Sequence, residues 1–599
     1  MSDALRNRFS PIAVVRRALP CAVALATALS LPATPAKATT HIVDVNGGGD
    51  FLSLAGSFHY VTAGDTVLVY PGVYSGPTNV NLTCPMGDFV LMSRDGPEVT
   101  IIALEGQDGL AYTDAHTTAT TIEGLTFMNT ATRYGNYGIY AEDASCTIRN
   151  CIFRDNARVS LNGIGFKHLY DCSFSSVGAA VRGRDNGTIT LRSCSFEDVE
   201  TAVDLSDYGN PCETIVTNCD FNGGSSALHI STHGRVEVDS CSFTGSVIGA
   251  YPYSGAAVQL RSRGTFSDVR ITNCVFSSNY SSGSAGAIAI NPGWMSESTS
   301  APIVIEDCVF DGNSANVNGG AVRTWKVRVR ITGCEFRENT ASEGGAVYVG
   351  DEDATGEAYI TDCVFVGNEA TKGGAIAAAH KHTEISGCEF NGNTAEMGGA
   401  VLALPPTCEI SDCLFVGNRA YIWGGGVCAL ETWDLPGTLV ESSTFDRNVS
   451  HRGSAFFLDA SRGTIRNCTL YGGSSDEASL VCTRVSQLAV EKCISSFASE
   501  GTTIALQMDS IARVSNSVIF GNAGDDPLSD DGVTAVAVTY DPPLFCDAAS
   551  GDFTLCADSF CLPANNPWSY TIGAHGQGCG ECGTAVEFTT WGSIKAMFR

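Results

Sequence analysis

One tag recurs along this chain and constrains it more than any other feature: Cys-x-Phe, with Ile, Val or Leu three residues before the cysteine and a turn residue directly before it. It reads IRNCIF at Cys151, LRSCSF at Cys194, VTNCDF at Cys219, VDSCSF at Cys241, ITNCVF at Cys274 and IEDCVF at Cys308. It continues as ITGCEF at Cys334, ITDCVF at Cys363, ISGCEF at Cys388 and ISDCLF at Cys413, with looser copies at Cys172, Ser443, Cys468, Cys493, Leu125 and Ser517. The mean interval is about 26 residues, and single intervals run from about 21 to 34. An elastic repeat of that size describes one wall of constant geometry with loops that absorb the length, so the 599 residues are one long object and not several ordinary domains.

The apolar phase inside a repeat says what the unit is. In VRVRITGCEFREN, Val329 and Ile331 alternate as in a half-buried strand, and the phase then slips so that Cys334 and Phe336 point inward. The residue at the slip is Asn, Asp, Gly or Ser, types that tolerate a left-handed or turn conformation. A second bend falls at the Asn of Phe-x-x-Asn (Asn313, Asn339, Asn368, Asn393, Asn418, Asn448), and a third strand opens at Gly-Gly-Ala-Val, as at Gly344 to Val347. Three strands and three bends leave no room for a helix. The expectation is an all-β parallel solenoid of about 18 to 20 coils, with ladders of Cys, Phe and Asn stacked at about 4.8 Å.

Composition agrees. With 65 Gly and only 17 % charged residues a large helical protein is excluded, and 44 % hydrophobic residues exclude disorder. A net charge of -29 argues against nucleic acid as a partner. At the amino terminus Arg6, Arg8, Arg16 and Arg17 precede an apolar run from Ala18 to Leu31, and Ala36-Lys37-Ala38 supplies small residues for cleavage. Residues 1–38 therefore read as a signal peptide, cut near Ala38, and the mature chain as exported to the periplasm or cell surface without a transmembrane segment.

GGA[VI] combined with FxxN, as in Gly344 to Ile376, resembles the repeats of the polymorphic outer-membrane proteins, a family of surface β-helices and adhesins. The segment VDVNGGGDFLSLAGSFHYVTAGDTVLVYPGVYSG (Val43 to Gly76) resembles the opening of pectate-lyase-like right-handed β-helices, where a short helix leads to GDTVxVxPGxY. The resemblance implies a right-handed parallel β-helix, with residues 39–110 as amino-terminal cap and first coils, 111–539 as repeats and 540–599 as a Cys-rich carboxy-terminal cap and tail. It is specific for fold and poor for activity. The carboxy-terminal membrane barrel of the polymorphic family has no counterpart pattern here.

Of the 25 cysteines, those on the ladder (Cys151, Cys194, Cys219, Cys274, Cys308, Cys334, Cys363, Cys388 and Cys413 among them) stand parallel, about 4.8 Å apart at Cβ, whereas a disulfide needs roughly 3.5–4.5 Å. Buried free thiols are expected there. Cys84, Cys146, Cys212, Cys408, Cys428 and Cys482, off the ladder, are freer to bridge. In the tail, Cys546, Cys556, Cys561, Cys579 and Cys582 read as disulfides of a cap, with no metal assigned despite the Cys-x-x-Cys spacing.

In pectate-lyase-like enzymes the substrate groove runs over the strand that here begins Gly-Gly-Ala-Val. Its outward positions read Tyr140, Gly165, Arg182, Asp204, His229, Gln259, Ala289, Arg323, Tyr348, Ala377, Leu402, Cys428 and Phe457, with Glu142, Lys167, Arg184, Ser206, Ser231 and Arg261 in a second row. The first half is polar and the second mostly apolar. Arg182, Asp204 and His229 are the candidate catalytic residues, since lyase chemistry on uronate polymers needs a cation to neutralise the carboxylate and a base to take the adjacent proton. Tyr140, Arg184, Gln259 and Arg261 are the candidate ligand-binding residues. Paired Asp clusters are missing, Gly524-Asp525-Asp526 stands alone, and Asp525, Asp526, Asp530 and Asp531 read as a solvated loop with at most weak Ca²⁺ binding. His380 and His382 have metal-like spacing without a third ligand. No cofactor is expected. The apolar half reads as exposed surface for a partner. The expected function is a monomeric, adhesin-like β-helix binding a glycan or surface protein, the alternative being a polysaccharide lyase or hydrolase working on the polar coils.

Overall fold

The computed structural model describes residues 38–582 except 113–115, 130–135, 185–186, 208–211, 250–254, 263–266, 292–301, 351–355, 405–406, 431–436, 524–527 and 529–530. Residues 1–37 of the signal peptide reading, and Asp525, Asp526 and Asp530, fall outside that set. Asp531 is exposed.

The chain winds into a parallel β-solenoid of about 18 coils, in which the strands inside the rod pair in parallel with their counterparts in neighbouring coils. Thr188–Arg192, Ser195–Glu197 and Thr201–Ser206 make one early coil. The slip between first and second strands is a left-handed residue in coil after coil, as at Asn218 (φ 52°), Asp307 (φ 52°), Gly333 (φ 63°) and Asp412 (φ 52°). That conformation turns the chain through a corner in one residue, which is why Asn, Asp, Gly and Ser fill it.

Three ladders hold the interior. Phe127, Phe153, Phe174, Phe196, Phe221, Phe243, Phe276, Phe310, Phe336, Phe365, Phe390, Phe415 and Phe445 stack face on face; Phe196 and Phe221 have centroids 4.8 Å apart and planes 4° apart. The ladder cysteines are buried and unbridged. Cys334 Sγ donates to Ile305 O in the coil before (3.7 Å) and lies 3.4 Å from Thr332 O, which fits a small hydrophobe with a weak donor. The Asn ladder is continuous from Asn279 to Asn448. Asn339 Nδ2 donates to Asn368 Oδ1 (3.0 Å) and to Phe310 O (3.0 Å), and its backbone N–H reaches Asn368 Oδ1 as well (3.0 Å). Each amide thereby satisfies the bend of its own coil and the next.

Four sequence expectations are corrected. The six off-ladder cysteines, Cys84, Cys146, Cys212, Cys408, Cys428 and Cys482, are buried and unbridged like the others. The later coils carry four strands, not three: between Asn339 and Gly344 lies Thr340–Glu343, ahead of Val347–Gly350. Gly-Gly makes the corner between them. Gly398 is left-handed (φ +66°), and a Cβ on Gly399 would stand 2.3 Å from Gly425 O of the next coil.

That extra strand overturns the exposed apolar strip. Leu402, Cys428 and Phe457 are at most 1 % exposed and form a second small core with Ala478 and Val481, packed by Met397, Trp423, Leu404 and Leu430. Trp423, from the strand before the corner, stacks on Phe457 at 5.1 Å. The corner folds the outward side chains into its own concave angle, so they are covered from within the same coils. The fourth correction concerns one coil. Its outward residues are Ser160 and Asn162, which pair with Tyr140 and Glu142 on one side and Arg182 and Arg184 on the other. Gly165 lies outside the strand, and Lys167 belongs to the first wall with its side chain buried, Nζ donating to Gly163 O and Ile164 O. The chain after Arg154 turns at once into Arg158–Asn162, so the third strand arrives earlier than its neighbours predict.

At the amino end Leu54–Phe58 is the short helix, capped by Ser53, and Tyr74 is buried with its hydroxyl donating to Tyr70 O (2.8 Å) and lying 3.1 Å from Val43 O. The Cys-rich region carries two disulfides, Cys546–Cys579 and Cys556–Cys582, while Cys561 is a buried thiol. It lies against the second wall of the last coils, where Ile494 and Val518 pack with Leu555, Leu562 and Ile572, and Ala574 N and His575 reach Thr469 and Thr444. Among the described residues no helix is long and apolar enough to cross a membrane.

Candidate functional site

The early coils lack the Gly-Gly corner. Their third strand is straight, as in Ala179–Arg184, Thr201–Ser206 and Ser226–Ser231, and its outward side chains face solvent. Strand pairing brings Tyr140, Ser160, Arg182, Asp204, His229 and Gln259 into one row and Glu142, Asn162, Arg184, Ser206, Ser231 and Arg261 into the next. The sequence-based candidates Tyr140, Arg182, Arg184, Asp204, His229, Gln259 and Arg261 thus share one face.

At the centre Asp204 takes two partners. Arg182 donates through Nε and Nη2 to Oδ2 (3.3 and 3.2 Å), and His229 Nδ1 lies 3.2 Å from Oδ1. The His229 hydrogen bond, with the charge of Arg182 added, outweighs burial and holds the Asp204 carboxyl below its ordinary range. Asp204 is therefore a fixed anion that orients two cationic or basic groups, not a proton donor. The other ring nitrogen of His229, Nε2, is shielded from solvent and makes no hydrogen bond. Arg182 keeps 45 % of its side-chain surface exposed. Arg261 has its basicity lowered by burial, and Gln259 is buried, so the strip becomes more enclosed toward its end.

Two clefts lie along this face. One of about 240 Å³ is lined by Asn156, Arg158, Gly178, Arg182, Glu200, Thr201 and Asp204. The other, about 200 Å³, is lined by Asn81, Thr83, Asp108, Ala111, Tyr137 and Tyr140. Between them Tyr137 and Tyr140 place their rings 5.3 Å apart, and the Arg158 guanidinium lies 4.5 Å from the Tyr137 centroid. Tyr140 donates its hydroxyl to Glu142 Oε2 at 2.8 Å. Sequence reasoning missed Arg158, Ser160, Asn162 and Tyr137, because the early strand of that coil breaks the repeat phase; only the alternation in Arg158-Val-Ser-Leu-Asn162 marks it.

His380 and His382 go to separate partners, Thr324 Oγ1 (3.1 Å) and Thr407 Oγ1 (3.3 Å), and His380 is buried. Their spacing is structural.

Residues 108–265 and 162–336 match the family model for the right handed beta helix region, in agreement with the parallel ladders. No curated protein matches the chain. Among solved structures, a mannuronic acid specific polysaccharide family 6 lyase from human gut microbiota is 11 % identical, with 84 % of this chain and 92 % of that one covered and a TM-score of 0.22. The catalytic domain of a GH87 alpha-1,3-glucanase is 8 % identical over 79 % of this chain, TM-score 0.21; the chain spans 64 % of that domain. A pectate lyase is 11 % identical over 90 % of this chain and 96 % of its own, TM-score 0.15.

Proposed function

We propose that this right-handed parallel β-helix binds an extended acidic glycan along the outer face of its early coils, from Tyr140 to Ser231, with Gln259 and Arg261 at the end of the strip, where the extra strand begins at Val247–Ile248. The observation that carries the reading is the row through Tyr140, Arg182, Asp204 and His229, whose side chains stay open or partly open to solvent on parallel coils, with Ser160 and Gln259 buried in the same row. A polymer lying across the coils meets Arg182, Asp204 and His229 on three successive coils and the Tyr137–Tyr140 ring pair at one end. On a chain of net charge -29, Arg158, Arg182, Arg184 and Arg261 set four guanidinium groups along this strip beside the carboxylates of Glu142, Glu200 and Asp204, and they are the partners a carboxylated sugar would find here. We place the protein outside the cytoplasm, in keeping with the leader-like first 38 residues and the two disulfides.

Binding without turnover fits the central groups better than catalysis, because Asp204 is held ionised and His229 Nε2 is shielded. The second reading, a lyase or hydrolase, is favoured by one observation: a carboxylate on His229 Nδ1 is the arrangement that would orient Nε2 as a base.

The test is a panel of uronate and neutral polysaccharides against the chain beginning at Thr39. Retention of uronate polymers, lost in Arg182→Ala and weakened in Tyr140→Ala, is the expected result. No retention of any glycan overturns the reading. New unsaturated or reducing ends that vanish in His229→Ala would establish the second one.

A further inference from the structure

The two carboxy-terminal disulfides lie against each other. Cys546 sits in Phe545–Asp547, Cys556 directly follows Asp552–Leu555, and these strands pair antiparallel; Cys579 and Cys582 come from the returning segment beside them. Cys579 Sγ is 3.7 Å from Cys556 Sγ and 3.6 Å from Cys582 Sγ, neither of which is its bridge partner. The sulfurs of Cys546, Cys556 and Cys579 all lie within 4.8 Å of one another. Two independent bridges have no need of such contact. A tetrahedral cation with metal–sulfur bonds of about 2.3 Å does, since its sulfur–sulfur edges are about 3.8 Å.

We propose that Cys546, Cys556, Cys579 and Cys582 form a tetrathiolate site for a soft divalent cation, Zn²⁺ above all, whenever their two disulfides are reduced. The backbone holds the site without the sulfur bonds: Cys556 N donates to Leu544 O (2.9 Å), Leu555 N to Gly576 O (2.9 Å), Gly578 N to Leu555 O (3.0 Å) and Ala557 N to Gly580 O (3.0 Å). Cys582 N donates to Asp558 Oδ1 (3.1 Å), which fixes the end of the Cys-Gly-Glu-Cys turn. The two bonded pairs have to part, and Cys582, outside the three-sulfur cluster, has to close on Cys546. Each disulfide takes two electrons and two protons from a dithiol reductant, which leaves as its own disulfide. The four thiols then give up four protons as their sulfurs bind the cation. The other cysteines do not compete, being buried singly or in the ladder; burial pushes the neighbouring Cys561 thiol up to about 12.

The experiment uses the chain beginning at Thr39, reduced with a dithiol, freed of the reductant anaerobically and titrated with Co²⁺ and then Zn²⁺. One Co²⁺ per chain is expected, with visible d–d bands of a tetrahedral site and sulfur-to-metal charge transfer, both displaced by Zn²⁺ and absent from the oxidised chain. Cys579→Ser and Cys582→Ser lose the bands, and Cys561→Ser keeps them. Circular dichroism of each variant shows whether the solenoid is folded, so loss by unfolding is recognised; Cys582 is exposed, and its substitution leaves the packing intact. Absence of tetrahedral bands in the folded reduced chain, or their persistence in both Cys579→Ser and Cys582→Ser, overturns the proposal.

Discussion

His229 is placed 3.2 Å from Asp204 in the coil before it, Nδ1 against Oδ1, while Arg182 in the coil before that donates twice to the other carboxylate oxygen. Three residues separated by 22 and 25 positions in sequence thus act as one group, because parallel pairing puts equivalent positions side by side.

Asp204→Asn should loosen Arg182 and His229 together. The pairs are partly solvated, so the loss of stability is expected to be at most about 1 kcal/mol. Glycan retention should fall as far as in Arg182→Ala. Because the Asp204 carboxyl is held below its ordinary 3.8, the pairing is fully present above that value and lost as pH falls below it. Binding measured from neutral pH down to about 3 checks this: the glycan's own carboxylates titrate in the same window, so the wild-type chain should weaken there more steeply than the Asn variant, which keeps only the ligand's part of the fall.

Asn368→Ala should be among the most destabilising single changes in the rod. It leaves Phe336 O and Asn393 Oδ1 without the Nδ2 donor and Asn339 without its Oδ1 acceptor, all buried. A cost of about 3 kcal/mol or more is expected. Asn368→Asp should be worse still, since a carboxylate would face the two acceptors that Nδ2 now serves. Denaturant unfolding monitored by circular dichroism reads both.

Under denaturation without reductant the chain beginning at Thr39 should expose 20 reactive thiols, the free cysteines of the coils and Cys561. Reductant should add the four of the two bridges. In the folded protein these thiols should resist alkylation, because all of them are buried out of reach of the reagent; for Cys146, Cys408 and Cys482, off the ladder, burial also raises the thiol to about 12. Ellman titration in both states decides it; fewer than about ten thiols would refute the free ladder.

Asp65 anchors the first coil and supplies a different acid limb. Burial alone would raise its carboxyl, but hydrogen bonds from Thr62 N, Thr39 N, Thr62 Oγ1 and His41 prevail and hold it at about 2. Its contribution is complete above about 3.8 and fades as pH drops toward 2. Asp65→Asn should cost about 1–3 kcal/mol at neutral pH and remove that part of the acid dependence of melting.

The period, the inward Cys and Phe, the corner Asn and the left-handed slip are legible in the sequence because they are local: a two-residue alternation and a residue type that tolerates a positive φ carry them. The outward row is legible for the same reason, apart from the coil of Ser160, whose strand starts early after Arg154. What the side chains of that row meet is another matter. Leu402 and Asp204 occupy the same register position, yet Leu402 is buried beneath Met397 and Trp423 while Asp204 faces solvent. The difference lies in Thr340–Glu343 and its equivalents, whose Gly-Gly corner closes the later coils over their own outer face.

The cysteine quartet divides in the same way. The sequence supplies a Cys-x-x-Cys and two more cysteines; only the pairing of Leu555 with Gln577 and the antiparallel hairpin of Phe545–Asp547 with Asp552–Leu555 bring their sulfurs into contact. Sequence by itself determined the coil and its interior, since a repeat dictates what stacks on what. Tertiary structure alone decided which outward groups remain open to a ligand and which sulfurs meet, because both depend on how separate segments close over one another.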